Sequence, residues 1–293
     1  MSSEEANYLI SHDVTMDLIR LTMLIYNYGK DFTFDSSTDV NFKGFLDDRI
    51  INTYTDSESL SFLRKSSLCD IQNNNDNIEL CEFITEPETD IQAGIILNHS
   101  KKQLCVVFRG SESMKDWYHD FQISKRILHN NIKVHCGFYN QLHDTSVCDK
   151  MINKVKSILA TYPDYHVYIT GHSLGGALCT LFGYLLSHEI DNHVNVVSFA
   201  SPRVGNSYWK TSFEEKSNLS HYRITNNRDI ITATPSYNYR HVGTDIHVYD
   251  DCYKVASTDV KFCCNFSCIF ANHWSISDHD CDLYYERIKK NKW

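Results

Sequence analysis

The segment Gly171-His172-Ser173-Leu174-Gly175 sets a hydroxyl nucleophile between two glycines at the spacing that nucleophilic catalysis by serine requires. The run His166-Val167-Tyr168-Ile169-Thr170 before it has strand character, and Gly176-Ala177-Leu178 after it open a helical pattern, so Ser173 is expected on a tight strand-to-helix turn. Such a turn strains the serine backbone and lifts Oγ above the sheet, while glycines on either side let strand and helix approach without Cβ clashes. The N-terminus of the following helix favours negative charge developing nearby. A glycine-rich turn with an incidental serine is the plain alternative, and the flanking elements weigh against it.

A serine hydroxyl is a weak nucleophile at neutral pH; an imidazole must take its proton and a carboxylate must hold that imidazole. With the nucleophile on such a turn, the expected chain order is Ser, then Asp or Glu, then His. Asp229 follows the strand-like His221 to Thr225 and the turn Asn226-Asn227-Arg228, which places its carboxylate at the sheet end near Ser173. A turn aspartate capping its own backbone is the alternative, and Asp245, Asp250 and Asp251 are competitors. Of the fifteen histidines, His273 and His279 lie in the final segment, and residue type alone leaves the choice between them open. His172 and His135 read as turn histidines that order local backbone. The oxyanion of acyl transfer needs donors already aimed at it. The residue after the nucleophile, Leu174, supplies one backbone N–H, and a second is expected from the loop after the strand ending at Phe108.

The elements that must position these groups alternate between two periods. Ile91 to Leu97 and Gln103 to Phe108 read as a hairpin, residues about 138 to 161 as a helix, Tyr165 to Thr170 as a strand, about 174 to 189 as a helix and Asn195 to Ala200 as a strand. His221 to Thr225 and Ile246 to Tyr249 add strands, and about 276 to 290 a closing helix. The expected fold class is α/β with a mostly parallel sheet flanked by helices. Residues about 13 to 28 have the spacing of an amphipathic helix, and Asn73 to Asn77 form a polar run expected as a surface loop. No stretch looks like a linker, so residues 1–293 are read as one domain, with 1–88 as an N-terminal helix and irregular extension packed on it.

Composition narrows the function classes. A formal charge of −9 disfavours electrostatic adhesion to nucleic acid or anionic membranes while leaving hydrophobic docking on a neutral lipid surface open, and no apolar run approaches the length of a membrane span. Glu4 and Glu5 stand where a secretory leader carries basic residues, and eleven cysteines, an odd number, fit reduced thiols; both point to a cytoplasmic protein. Cys263, Cys264 and Cys268 near His273, His279 and Cys281 raise zinc, but adjacent cysteines suit tetrahedral ligation poorly, so neither metal nor cofactor is expected.

Five segments in order, VVFRGSES, VHCGF, GHSLGGAL, FASPRVGN and NNRDIITATP, resemble those of the class 3 lipases, the fungal-type triacylglycerol lipase family. The resemblance runs from about residue 89 to the C-terminal helix and implies an α/β-hydrolase fold. It implies Ser173, Asp229 and His279 as the catalytic residues, His279 resembling the family's late histidine ahead of an aromatic-rich helix. It also implies Ser111 as the second oxyanion residue, beside Leu174; a plain polar turn is the alternative for Arg109-Gly110-Ser111. Met114, Trp117, Tyr118 and Phe121 fall at helical spacing with Glu112, Lys115, Asp116, His119 and Asp120 opposite, and the resemblance implies a lid there, whereas a core-packed helix explains the same pattern. The expected function is hydrolysis of lipid carboxylic esters, acylglycerols or phospholipids, with transient contact at a lipid surface. An esterase for small soluble esters, an acyltransferase and a catalytically silent binding scaffold stay open as alternatives.

Overall fold

Strands whose residues are apolar on both faces need a cover on each side, and this requirement organises the molecule. The structure is a computed structural model that describes residues 9–27, 78–111, 124–256 and 274–293. Among these, the chain runs through helix α1 (His12–Asn27), strands β1 (Ile78–Glu86), β2 (Ile91–Asn98) and β3 (Gln103–Phe108), and a small hairpin of β4 (Lys125–His129) and β5 (Ile132–His135). Helices α2 (Cys136–His143) and α3 (Val147–Thr161) lead into β6 (His166–His172), α4 (Leu174–Leu186), β7 (Val194–Phe199), α5 (Ser207–Glu214) and β8 (Leu219–Asn226). Strands β9 (Thr244–Val248) and β10 (Tyr253–Ala256) and helix α6 (Cys281–Lys290) complete the order, with 3-10 turns at Ile231–Ala233 and Ser277–His279.

The main sheet has the order β1-β2-β3-β6-β7-β8-β9-β10. Neighbours from β3 through β9 are parallel, and antiparallel pairs close both edges. Side chains alternate across it with period two. Leu104, Val106 and Phe108 of β3 and Val167 and Ile169 of β6 enter the core beneath α2 to α5, whereas Cys105 and Val107 join the second core under α1 and α6. The helix α4 has only Leu185 short of full burial, which is why its sequence is apolar all round rather than along a stripe. Gly183 lets it lie against the sheet, since a Cβ there would run into the Val196 side chain.

Two expectations are corrected. The single helix over 138–161 is two, because Asp144-Thr145-Ser146 interrupts it with residues that favour turns and caps over helix interior. The closing helix starts later than expected, at Cys281, where the Asp280 carboxylate caps Asp282 and Leu283 N–H. Strands β1, β4, β5 and β10 and helix α5 were not expected. The polar run Asn73 to Asn77 lies outside the described residues.

Candidate active site

Ser173 ends β6 and opens α4 with φ 60° and ψ −123°, a backbone that costs a non-glycine residue on the order of 1–3 kcal/mol. Its surroundings hold the strain: Ser173 N–H donates to Phe199 C=O at 3.0 Å, and Ala177 N–H donates to Ser173 C=O at 3.2 Å. The flanking glycines answer a close approach. A Cβ on Gly171 would collide with the Gly175 carbonyl, and one on Gly175 with the Phe108 carbonyl. Phe108 pairs in register with Gly171, so the end of β3 and the serine turn lie side by side. Ser111 and Leu174 therefore follow adjacent parallel strands at the same sheet edge. Leu174 is the first residue of α4, and its N–H is one of the donors that a helix start leaves without an intrahelical acceptor.

Asp229 leaves the end of β8 in the turn after Asn226 and is buried, as is His279. His279 Nδ1 lies 2.9 Å and 2.8 Å from the two Asp229 carboxylate oxygens. A carboxylate only accepts, so Nδ1 carries the proton and Nε2 holds a lone pair. That Nε2 is buried with no hydrogen-bond partner among the described residues. The Asp229 carboxylate also accepts from Ile231 N–H at 2.9 Å and from the Tyr284 hydroxyl at 2.7 Å. Burial, and then the adjacent Asp229 charge, raise Tyr284 well above the ordinary phenol, so it stays a donor.

His172, beside the serine, bridges loops that are distant in sequence. Its Nε2 lies 2.9 Å from the His279 carbonyl and must donate to it; Nδ1 is then an acceptor, 2.9 Å from the Tyr26 hydroxyl of α1. Burial, with the neighbouring His279 next, holds His172 well below the ordinary imidazole range, so it stays neutral. Gly110 completes the junction, since a Cβ there would meet the Tyr26 hydroxyl and the His172 carbonyl. The His279 turn is tied down from behind: Arg287 Nη1 donates to Asn226 Oδ1 at 2.6 Å and to Asp278 Oδ1 at 2.9 Å, and Asn226 Nδ2 donates to Asp278 C=O at 2.7 Å.

Of the residues expected from the sequence, Asp229 and His279 are in direct contact. Through His172 the serine turn touches the His279 backbone, with the two imidazole rings 4.7 Å apart. Ser111 stands half-buried at the end of β3's loop. Met114, Trp117, Tyr118 and Phe121 lie outside the described residues, as do Cys263, Cys264, Cys268 and His273. The competitor Asp245 is engaged elsewhere, accepting from Thr225 Oγ1 at 2.7 Å beside Arg223. Tyr26, Tyr284 and Arg287 were missed. Tyr284 sits five residues after His279, a spacing that offered a hint; Tyr26 carries no signal beyond its place near the end of an amphipathic helix.

Residues 105–239 match the family described as lipase (class 3). Over that segment, just under half of its length, the chain is similar to the class 3 lipases. A secreted mono- and diacylglycerol lipase A from Penicillium cyclopium is 28% identical over 185 residues, 61% of this chain and 59% of that protein. The match thus spans less than two thirds of that relative's length. Among solved structures, a lipase from Rhizopus microsporus var. chinensis superposes with a TM-score of 0.67 at 21% identity, covering 92% of this chain and 87% of its own. A triacylglycerol lipase whose catalytic centre is formed by a serine protease triad gives 0.68 at 21% identity, covering 95% and 94%. These superpositions establish the α/β-hydrolase fold of the chain.

The cytoplasmic expectation is corrected by the same relatives: the Penicillium cyclopium protein and its Penicillium camembertii counterpart are secreted lipases. Burial alone makes Cys105 and Cys179 inert packing residues in any compartment.

Proposed function

We propose that this chain is a class 3 lipase that hydrolyses carboxylic esters of lipids, acylglycerols or phospholipids, through an acyl-enzyme on Ser173, and that it acts outside the cell as its secreted relatives do. The observation that carries the reading is the His279 imidazole, fixed at Nδ1 by Asp229 and left with a buried, unpartnered Nε2 beside the serine turn. Nε2 takes the Ser173 proton as Oγ attacks the ester carbonyl, and the carbonyl oxygen becomes an oxyanion held by Leu174 N–H and Ser111. The imidazolium formed is stabilised by the Asp229 charge and returns the proton to the leaving alcohol. Water, deprotonated by the same Nε2, then attacks the acyl-enzyme and releases the acid with Ser173 restored. Ser173 is fully buried, so an opening step precedes ester binding.

The test is a panel of esters of varied chain length and head group, offered below and above aggregation, with fluorophosphonate labelling of wild type and Ser173→Ala. Labelling and hydrolysis lost together in the variant are expected. A wild-type protein that is neither labelled nor active would establish the silent scaffold, and preference for short monomeric esters would establish the soluble esterase.

A further inference from the structure

A second cleft, of about 560 Å³, opens between the β4–β5 hairpin, the start of α5 and the loop before β9. Three cations line it, Lys125, Lys133 and Arg240, and its lining contains no carboxylate. In a chain of net charge −9 that grouping is against the average. None of the three makes an ion pair among the described residues: Lys125 stacks its ammonium over the Tyr239 ring at 3.9 Å, and Arg240 donates to the Tyr239 carbonyl at 2.8 Å. Burial first, and then the nearby Lys133, lower the pKa of Lys125.

The opposite wall adds donors of another kind. Asn206 caps α5 by accepting from Trp209 N–H at 3.0 Å, which leaves the N–H groups of Ser207 and Tyr208 without acceptors among the described residues. Apolar side chains lie on and beside it: Ile127 and Tyr208 of the lining are each 57% exposed, and Tyr237, whose carbonyl lies 3.5 Å from Lys125 Nζ, is 75% exposed, three of the four large hydrophobic side chains most open to water among the described residues. A soluble anion has no use for such side chains, whereas a lipid headgroup brings acyl chains that cover them.

We propose that this cleft binds the phosphate of an anionic lipid headgroup and holds the protein on a lipid surface. The cleft stands apart from the serine turn: the hairpin and the start of α5 meet at Tyr184, where His129 Nε2 lies 3.3 Å from its hydroxyl and the Trp209 ring 4.7 Å from its ring, ten residues along α4 from Leu174. The proposal deepens the lipid-hydrolase reading only in supposing that the same surface carries the ester. The local cations also revise the expectation drawn from net charge, since headgroup binding is decided within about 10 Å, the range over which salt leaves a charge visible.

Binding is measured on Ser173→Ala protein, so that hydrolysis plays no part, by co-sedimentation with vesicles of phosphatidylcholine alone or with about one-fifth phosphatidylglycerol. The expected result is tighter binding to the anionic vesicles, weakened about fivefold by each of Lys133→Gln and Arg240→Gln and lost in the Lys125→Gln/Lys133→Gln/Arg240→Gln variant. Lys133 and Arg240 are exposed side chains, so the single variants report even where the triple variant folds poorly. Equal binding to both vesicles, or an anionic preference that survives both single substitutions, overturns the proposal. So does titration with inorganic phosphate showing binding while the vesicles show none. Failure of the ester panel with vesicle binding intact would overturn the hydrolase reading and leave the headgroup site standing.

Discussion

The Tyr26 hydroxyl lies 2.9 Å from His172 Nδ1, and through that histidine the first helix reaches the backbone of His279, since His172 Nε2 donates to the His279 carbonyl. One neutral imidazole thus fastens three segments: α1, the serine turn and the His279 turn. The link supplies no proton to an ester; it sets where His279 stands. Tyr26→Phe deletes one buried hydrogen bond, worth about 1 kcal/mol, and is expected to lower kcat five- to tenfold with KM nearly unchanged. The fluorophosphonate labelling rate should fall by the same factor. A variant with a lower Tm but the wild-type labelling rate would show Tyr26 to be packing alone.

Removing the base should be far more costly. His279→Ala is expected to reduce kcat by about 10⁴-fold, the scale found for other triads. Asp229→Asn should approach it, because an amide cannot accept from Ile231 N–H, Tyr284 and His279 together and favours the wrong imidazole tautomer. Steady-state kinetics on a soluble ester checks both, and an Asp229→Asn enzyme of near-wild-type rate would transfer the acid's role elsewhere.

Arg287 faces two carboxylates of unequal weight. Asp250 is 74% exposed and its ion pair is worth under about 1 kcal/mol, whereas Asp278 is buried against Arg287. Arg287→Gln leaves the Asp278 charge without its cation and should cost about 3 kcal/mol, with Asp250→Asn costing little. Urea unfolding of the two variants tests the asymmetry; equal losses would contradict it.

Acid should destabilise the protein through three buried imidazoles. Burial first, with Arg223 next, lowers His221 to about 3 and holds His241 well below its ordinary range; burial first, with His279 next, holds His172 well below that range as well. Because the folded pKa is depressed, the stability each contributes is present above the unfolded value and lost as pH falls below it. Each then costs up to about 1.4 kcal/mol per pH unit below about pH 6.5, down toward about pH 3 for His221. Denaturant unfolding from neutral to acid pH should show that slope, and His221→Gln should flatten it by about one proton. An unchanged slope would mean that His221 is protonated in the fold.

What the sequence made legible follows from the range of the cause. The serine turn was readable because glycine spacing, strand period and helix period are all local to residues 166–178. The β2–β3 hairpin and the parallel strands after it were readable for the same reason. Helix α5, eight residues long, is too short to display a period, and β1 hides its alternation behind a register shift between Leu80 and Glu82. The Tyr26 contact spans 146 positions, so only the fold brings it to the site. The compartment was misread because targeting is not a property of the packed chain.

Helices α1 and α6 lie together on one face of the sheet, joined where His12 Nε2 meets the Ile288 carbonyl at 2.8 Å and Trp293 Nε1 donates to the Ile10 carbonyl at 3.1 Å. During synthesis, therefore, Ser173 and Asp229 are made long before His279 and the helix that fastens it. A ribosome-bound chain can complete β6, α4 and β8 and still lack the imidazole to which the proposed mechanism gives the Ser173 proton. On that mechanism the growing chain attacks no ester until α6 has emerged and docked on α1.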